Sequence, residues 1–178
     1  MIYYSDEDII IRAINEEDAA ILFAWRIDKE INEYDLRPTP NTGDELLKEC
    51  NDFCKTFTDQ ISPTNPADRK YFYFIITDTL GKPIGCVNYF SIDNEMKQCE
   101  LGVTIGDRNF RRKGIAFKAV EFAVNYIFQN RDIERICIET GEKNIPSLNL
   151  FSKLSFARCG ESFEENEYKF IVMERSRV

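Results

Sequence analysis

Residues 100–129 read ELGVTIGDRNFRRKGIAFKAVEFAVNYIFQ and place a strand, a basic loop and a helix in direct succession. The first six residues are apolar and rich in β-branched side chains, which predicts a buried strand. From about Gly114 the run is apolar on most sides at helical spacing, which predicts a long, largely buried helix. The loop between them, 106–113, gathers four cations at the helix start: Arg108, Arg111, Arg112 and Lys113.

These cations are unfavourable for the helix taken alone. A helix N-terminus carries a partial positive charge, so each nearby cation costs roughly 0.3–1 kcal/mol. The chain has 31 acidic and 23 basic residues, so a local rule broken here indicates function. A polyanion would compensate, bound by free backbone N–H groups and by the side chains, with Gly114 allowing close approach. The alternative is a solvated basic loop that is salt-bridged to an acidic neighbour, and spacing alone leaves both open.

Two blocks of sequence carry a resemblance to a known family. Residues 111–116, RRKGIA, resemble the [Q/R]-x-x-G-x-[G/A] signature of the GNAT superfamily of acetyl-CoA-dependent N-acyltransferases. Residues 144–156, NIPSLNLFSKLSF, are similar to that family's N-x-x-[SA]-x-x-[LV]-[YF]-x-K-x-G-F segment. The resemblance covers about 9–174. The region 25–34 is similar to the branch of ribosomal-protein-alanine and spermidine acetyltransferases, where it lies over the acceptor site, although we interpret Trp25 itself as a core anchor.

The resemblance implies one GNAT domain over residues 1–178. The expected fold is α/β (α+β), with a mixed, mostly antiparallel sheet of about six to seven strands and helices on both faces. The sheet is expected to be splayed between the family's fourth and fifth strands, here 98–105 and 133–140. Residue patterns predict further strands at 9–12, 71–77, 83–91 and 168–174. They predict helices that begin near Asn15, at the capping box of Thr42 and Glu45, and at Pro146. They also predict an exposed loop over 59–69 and an acidic hairpin turn over 163–167.

The same resemblance implies acetyl-CoA as co-substrate and no metal. The pantetheine arm is expected in the splayed gap, where a bulge eased by Gly102 and Gly106 would present backbone groups. The pyrophosphate is expected on the amides that open the helix. The residues expected at the coenzyme are Val103, Thr104, Ile105, Arg111, Arg112, Lys113, Gly114, Ile115, Ala116, Phe117 and Asn144.

The implied reaction transfers the acetyl group to a primary amine by direct attack in a ternary complex. The chain has no histidine, so the base is a carboxylate or an ordered water. Glu100 matches a position where many relatives carry Glu; the alternative is a strand-end charge in solvent. Phe151 stands where many relatives have Tyr as general acid, and Ser147 either takes that role, as in the ribosomal-protein branch, or caps its helix. Ser155 replaces the usual Gly, which we interpret as a tolerated turn change.

Composition bounds the remaining expectations. A net charge of −8 and a pI of about 4.8 argue against nucleic-acid binding and favour a cationic acceptor, a small-molecule amine or a peptide N-terminus, although ordinary solubility charge explains them more simply. We find no signal peptide and no apolar run long enough for a membrane. Six scattered cysteines without histidine favour a reduced, cytoplasmic chain with neither zinc nor a disulfide framework.

Two other functions stay open at this stage. One is a non-catalytic acyl-CoA-binding or scaffold module that kept the fold, which Phe151 favours. The other is a nucleotide-binding module that uses the same basic loop. The sequence leaves the acceptor, the acyl chain and the oligomeric state, including a homodimer, undecided.

Overall fold

A computed structural model of the chain describes residues 1–164 and 168–178. The strands are β1 Ile2–Ser5, β2 Ile10–Ala13, β3 Phe72–Thr77, β4 Pro83–Asp93, β5 Gln98–Ile105, β6 Arg135–Gly141, β7 Ala157–Glu164 and β8 Tyr168–Ser176. The helices are α1 Asp18–Ile27, α2 Gly43–Thr56, α3 Ile115–Asn130 and α4 Ile145–Lys153, with shorter helical turns at Phe57–Ile61, Pro66–Asp68 and Arg108–Phe110.

The strands form one mixed sheet in the order β1-β2-β3-β4-β5-β6-β8-β7. Every neighbouring pair is antiparallel except β5 and β6, which confirms the expected mixed, mostly antiparallel sheet. The sheet has eight strands, and β1 and β7 are not among the predicted ranges. The residues of β1 are largely exposed and lack the alternation that predicts a strand. At the predicted hairpin turn over 163–167, Phe163 and Glu164 belong to β7 instead, and 165–167 lie outside the described residues.

The parallel pair β5 and β6 separates after three residues. Gln98, Cys99 and Glu100 pair with Arg135, Ile136 and Cys137, and no further pair follows in the described strands. The rest of β5 stays paired with β4 and the rest of β6 with β8. The expected splay is therefore confirmed, and it opens a gap inside the sheet.

The two faces of the sheet carry different helices because neighbouring residues of a strand point to opposite sides. Phe74 and Ile76 of β3 share a core with the buried face of α3, from Ile115 to Ile127, and with α4. Ile75, between them in sequence, packs with α1 and α2 on the other face. Helices on both faces are thus confirmed.

Helices α1 and α2 start close to the predicted residues. Asn15 and Asp18 exchange hydrogen bonds at the start of α1, at 2.8 and 3.2 Å. The capping box of Thr42 and Glu45 is present at α2. The exposed loop predicted over 59–69 is wrong at its start, because the helical run continues through the π-helical turn Phe57–Ile61 and buries Ile61 in the core beneath α2.

Ser155 occupies the left-handed backbone region directly after α4, with φ 64°. The N–H of Phe156 donates to the Phe151 carbonyl at 3.0 Å, which is a helix ending that favours glycine. We therefore expect Ser155→Gly to raise the free energy of unfolding by about 0.5–1 kcal/mol, because glycine removes the left-handed strain. Urea denaturation checks this. Ser152→Gly, at an exposed position inside α4, should instead lower stability; an unchanged or lower midpoint for Ser155→Gly would contradict the expectation.

Candidate active site

A cleft of about 760 Å³ lies where β5 and β6 separate. Residues 100–104 of β5 form one wall, and residues 138–141 of β6 form the other. The start of α4 and the segment 31–37 between α1 and α2 close it further. The remaining lining side chains belong to Phe90, Phe151, Glu164 and Phe170.

The N-terminus of α3 is built to accept an anion. Its N-cap residue, Gly114, has φ 78° and offers no side-chain cap, and the first turn holds no acidic residue. Helices α2 and α4, by contrast, are capped by side chains. The first backbone bond of α3 runs from Lys118 N to Gly114 O, at 3.1 Å, so the N–H groups of 114–117 have no acceptor among the described residues. These four amides form the cradle.

The space around Gly114 is open. A Cβ built on this residue would meet no atom within 4 Å other than those of Gly114 and its chain neighbours, so a ligand can reach the backbone closely. Free amides, open space and flanking cations together fit a diphosphate group. The chain's own residues therefore fit the phosphate-bearing end of a coenzyme.

The four cations of the basic loop fall into two pairs. Glu30 binds both Arg108 and Arg111, at 2.7 and 2.8 Å, so the salt-bridge alternative is correct for these two. Within the described residues, Arg112 and Lys113 have no carboxylate oxygen within 4.0 Å. Both are exposed beside the cradle, so they supply its free positive charge.

Val103, Thr104 and Ile105 lie at the end of β5, on the edge that faces the gap. Val103 and Thr104 line the cleft. The carbonyl of Ile105 accepts a hydrogen bond from Arg111 Nε at 3.1 Å. Since backbone groups two residues apart in a strand point the same way, those of Val103 face the same side as Ile105.

No bulge interrupts residues 100–105 of β5, so the expected bulge is absent at Gly102. Directly after the strand, the N–H groups of Gly106 and Asp107 both donate to the Ile84 carbonyl, at 2.9 and 3.0 Å, which is the hydrogen-bond pattern of a bulge. The pairing with β4 runs in step from Gly85 opposite Ile105 to Phe90 opposite Glu100, and the register shifts only beyond Phe90. Both glycines also have close neighbours that a Cβ would meet. A Cβ on Gly102 would lie 3.0 Å from Asn88 Oδ1, and one on Gly106 would lie 2.1 Å from the Trp25 ring.

Trp25 is a core anchor, as interpreted from the sequence. Its side chain is 8% exposed and packs in the core formed by α1, α2 and one sheet face. Its ring also lies against the backbone of Gly106, directly after β5. This contact fixes the end of α1 against the loop that leads to the cradle.

Glu100 is the last β5 residue paired with β6. Its neighbours Cys99 and Leu101 point into the core with α3, so Glu100 points to the opposite face with Gly102 and Thr104. It is half-buried, lines the cleft and has no hydrogen-bond partner among the described residues. A carboxylate at the fork of the two strands is well placed to take a proton from a group in the cleft.

Asn144 and Ser147 sit together at the start of α4. Asn144 Oδ1 accepts from the Ser147 N–H at 3.2 Å and is therefore the cap. The alternative that Ser147 caps the helix is thus wrong. Both residues line the cleft. Phe151, one turn further, also borders it, but its side chain is 3% exposed and packs edge-to-face on Phe156.

Sequence reasoning missed several polar groups of the cleft. Glu139 and Glu164 face it from β6 and β7, and the hydroxyl of Ser162 contacts Glu139. Asp35 lines it from the segment 31–37 and pairs with Arg37 at 2.9 Å. Strand alternation could have placed Glu139 on a face, but it could not have placed that face on the cleft. Glu164 fell in the predicted hairpin turn and belongs to β7 instead.

Two features are absent from residues 1–164 and 168–178. No group of three or more His, Cys, Asp or Glu side chains is arranged to hold a metal ion. No helix there has the length and apolar character that a membrane crossing requires.

Comparison with known proteins agrees with this geometry. Residues 8–157 match the family model described as "Acetyltransferase (GNAT) domain". The chain is 30% identical over 154 residues to the uncharacterized N-acetyltransferase p20 of Bacillus licheniformis, a match that covers 86% of this chain and 82% of that protein.

Two solved structures share the fold. One is spermidine N-acetyltransferase from Vibrio cholerae in complex with CoA and spermine, with a TM-score of 0.76 and 18% identity over 96% of both chains. The other is ribosomal-protein-S5-alanine acetyltransferase from Vibrio fischeri, with a TM-score of 0.72 and 18% identity over 99% of this chain and 96% of that one. With the family match over residues 8–157, the cradle and the splayed sheet lead to one conclusion: this chain belongs to the GNAT family of N-acetyltransferases.

Proposed function

We propose that this protein transfers an acetyl group from acetyl-CoA to a primary amine, by direct attack within a ternary complex, and that residues 1–178 act as one domain. The observation that carries the proposal is the open cradle of four free amides at the start of α3, beside a splayed sheet. The six free cysteines support the cytoplasmic location expected from the sequence.

The coenzyme would lie along one continuous path. Its diphosphate would take the amides of 114–117, where Ile115, Ala116 and Phe117 form the first helical turn, with Arg112 and Lys113 as flanking cations. Arg111 would offer the N–H groups that Glu30 and Ile105 leave free. Its pantetheine arm would follow Val103, Thr104 and Ile105 through the gap. Asn144 has both Nδ2 protons without an acceptor among the described residues and would donate to the arm.

The reaction needs the acceptor as a free amine. Glu100 takes one proton from the ammonium, and the nitrogen lone pair then forms the C–N bond to the acetyl carbon. The C–S bond breaks with its electron pair going to sulfur, which receives the second proton lost by nitrogen. Ser147, whose hydroxyl has no partner among the described residues, would pass that proton, while Glu100 returns its own to solvent.

The acceptor side of the cleft favours a cationic amine. Carboxylates of Asp35, Glu100, Glu139 and Glu164 line it, and the one guanidinium among its described lining residues, Arg37, is already paired. A protonated amine would be attracted to this end before it gives up its proton. The similar Vibrio cholerae structure, which holds spermine, supports testing polyamines first.

Calorimetric titration with acetyl-CoA tests the proposal. We expect saturable binding that ATP does not compete away, because the gap for the pantetheine arm would contribute as well as the cradle. A panel of polyamines, lysine derivatives and peptides with free N-termini, with thiol release as readout, then identifies the acceptor class. Failure to bind acetyl-CoA at millimolar concentration would reject the proposal.

The thiol-release panel also separates the enzyme from the alternative module. Phe151 is buried and has no proton to give, which is the observation that favours a non-catalytic acyl-CoA-binding protein. Coenzyme binding without thiol release for any amine would support that alternative. Thiol release that depends on one class of amine would exclude it.

A further inference from the structure

The turn that follows α1 is joined to the end of that helix by side-chain hydrogen bonds. Asp28 Oδ1 accepts from the N–H groups of Glu30 and Ile31, at 2.9 and 3.0 Å. Asn32 Nδ2 donates to the carbonyls of Trp25, Arg26 and Asp28, at 3.1, 2.9 and 2.7 Å. These bonds join Glu30, Ile31 and Asn32 to the end of α1.

The Glu30 carboxylate ties this turn to the basic loop. Its Oε2 binds Arg108 at 2.7 Å, and its Oε1 binds Arg111 at 2.8 Å. Arg111 also binds the Ile105 carbonyl at the end of β5 through Nε. Each guanidinium keeps N–H groups without an acceptor among the described residues, so each can bind a phosphate without releasing Glu30.

The chain continues from Glu30 directly into the acceptor wall. Residues 31, 32 and 34–37 line the cleft. At the far end, the Tyr34 carbonyl accepts from Tyr168 Oη at 3.4 Å, and the Tyr168 ring lies against Gly141 of β6. The segment 31–37 therefore spans from the coenzyme loop to the opposite side of the cleft, and Glu30 is its attachment on the coenzyme side.

From these contacts we infer that Glu30 is a positioning residue that couples the two substrate sites. The inference rests on the proposed function. A diphosphate in the cradle restricts the motion of the Arg108 and Arg111 side chains, and these arginines restrict the motion of the Glu30 side chain. Glu30 in turn restricts the motion of the segment 31–37. The segment 31–37 then loses its conformational entropy when the coenzyme binds and not when the amine binds. The amine therefore binds more tightly to the coenzyme-loaded protein. Such coupling is reciprocal for the two ligands.

Hydrogen–deuterium exchange with and without CoA tests the coupling without any acceptor. In the parent protein, CoA should slow exchange both at the cradle amides 114–117 and in the segment 31–37, the latter by about fivefold. In Glu30→Gln, CoA should still slow exchange at 114–117, but its effect on 31–37 should be lost. Glutamine keeps the size of the side chain and removes its charge, and Glu30 is exposed, so the variant should fold.

Two further variants complete the test. Glu33→Gln makes the same charge change at an exposed neighbour outside the cleft lining and should behave like the parent. Arg108→Gln removes one of the two guanidinium groups that hold Glu30 and should therefore reduce the effect of CoA on 31–37, with Arg111 still in place. Equal CoA protection of 31–37 in Glu30→Gln and the parent would overturn the inference. If CoA protects neither 114–117 nor 31–37 in the parent, the proposed function fails instead.

Discussion

Replacing Glu100 with glutamine is expected to lower kcat by about 10²–10⁴-fold, the usual contribution of a positioned general base. Glutamine fills the same space at the fork of β5 and β6 and cannot take a proton from the ammonium. Coenzyme affinity should stay within about twofold of the parent, because Glu100 lies on the acceptor face of β5 and away from the cradle. Steady-state kinetics with the best amine of the panel and calorimetry with CoA measure both quantities.

The pH profile of the same variant gives an independent check. A lysine-type amine has a pKa near 10.4, so without a base the rate should rise about tenfold per pH unit below that value. Glu95→Gln, an exposed residue in the turn between β4 and β5, is the matched control and should retain parent kinetics. A Glu100→Gln enzyme as active as the parent would remove the base assignment and leave the family assignment untouched.

Ala116→Asp is expected to affect stability and coenzyme binding in opposite directions. A carboxylate in the first turn of α3 should stabilise the free protein by about 0.3–1 kcal/mol, because it meets the positive end of the helix. The same carboxylate occupies the cradle amides and repels the diphosphate. Losing two bonds to a charged group, each worth about 1.5–3 kcal/mol, should weaken CoA binding by at least about a hundredfold.

Urea denaturation and CoA calorimetry on one preparation measure the two effects of Ala116→Asp. Ala116→Ser is the matched control, since it adds a small polar group without charge and should bind CoA nearly as the parent does. Tight CoA binding by Ala116→Asp would show that the diphosphate does not use these amides.

Local sequence signals were sufficient for much of this structure. The capping box at Thr42, the strand 98–105 and the start of α3 at Gly114 depend on residues a few positions apart, and all three are present. The uncapped, basic N-terminus of α3 was the visible sign of a site, because it breaks a local rule that α2 and α4 follow. The splay followed from the family resemblance and not from the pattern of residues.

The remaining features depend on contacts between residues that are far apart in the chain. Glu30 lies 81 positions from Arg111, so no local pattern indicates that two of the four cations share one carboxylate. Gly106 lies against the Trp25 ring, on another element, and no local pattern indicates that contact. The Ser155 position looked like a neutral exchange in the sequence, whereas its φ of 64° shows why glycine suits it.

The separation of β5 and β6 also has a consequence for solubility. After Glu100 in β5 and Cys137 in β6, the two strands present unpaired edges toward each other. An unpaired edge can add an extended chain as a further strand. A pantetheine arm, with its two amide groups, would occupy those edges as a short peptide would. Without it, the same gap can accept a strand from another molecule, so the cleft adds a third unpaired edge to the outer edges of β1 and β7.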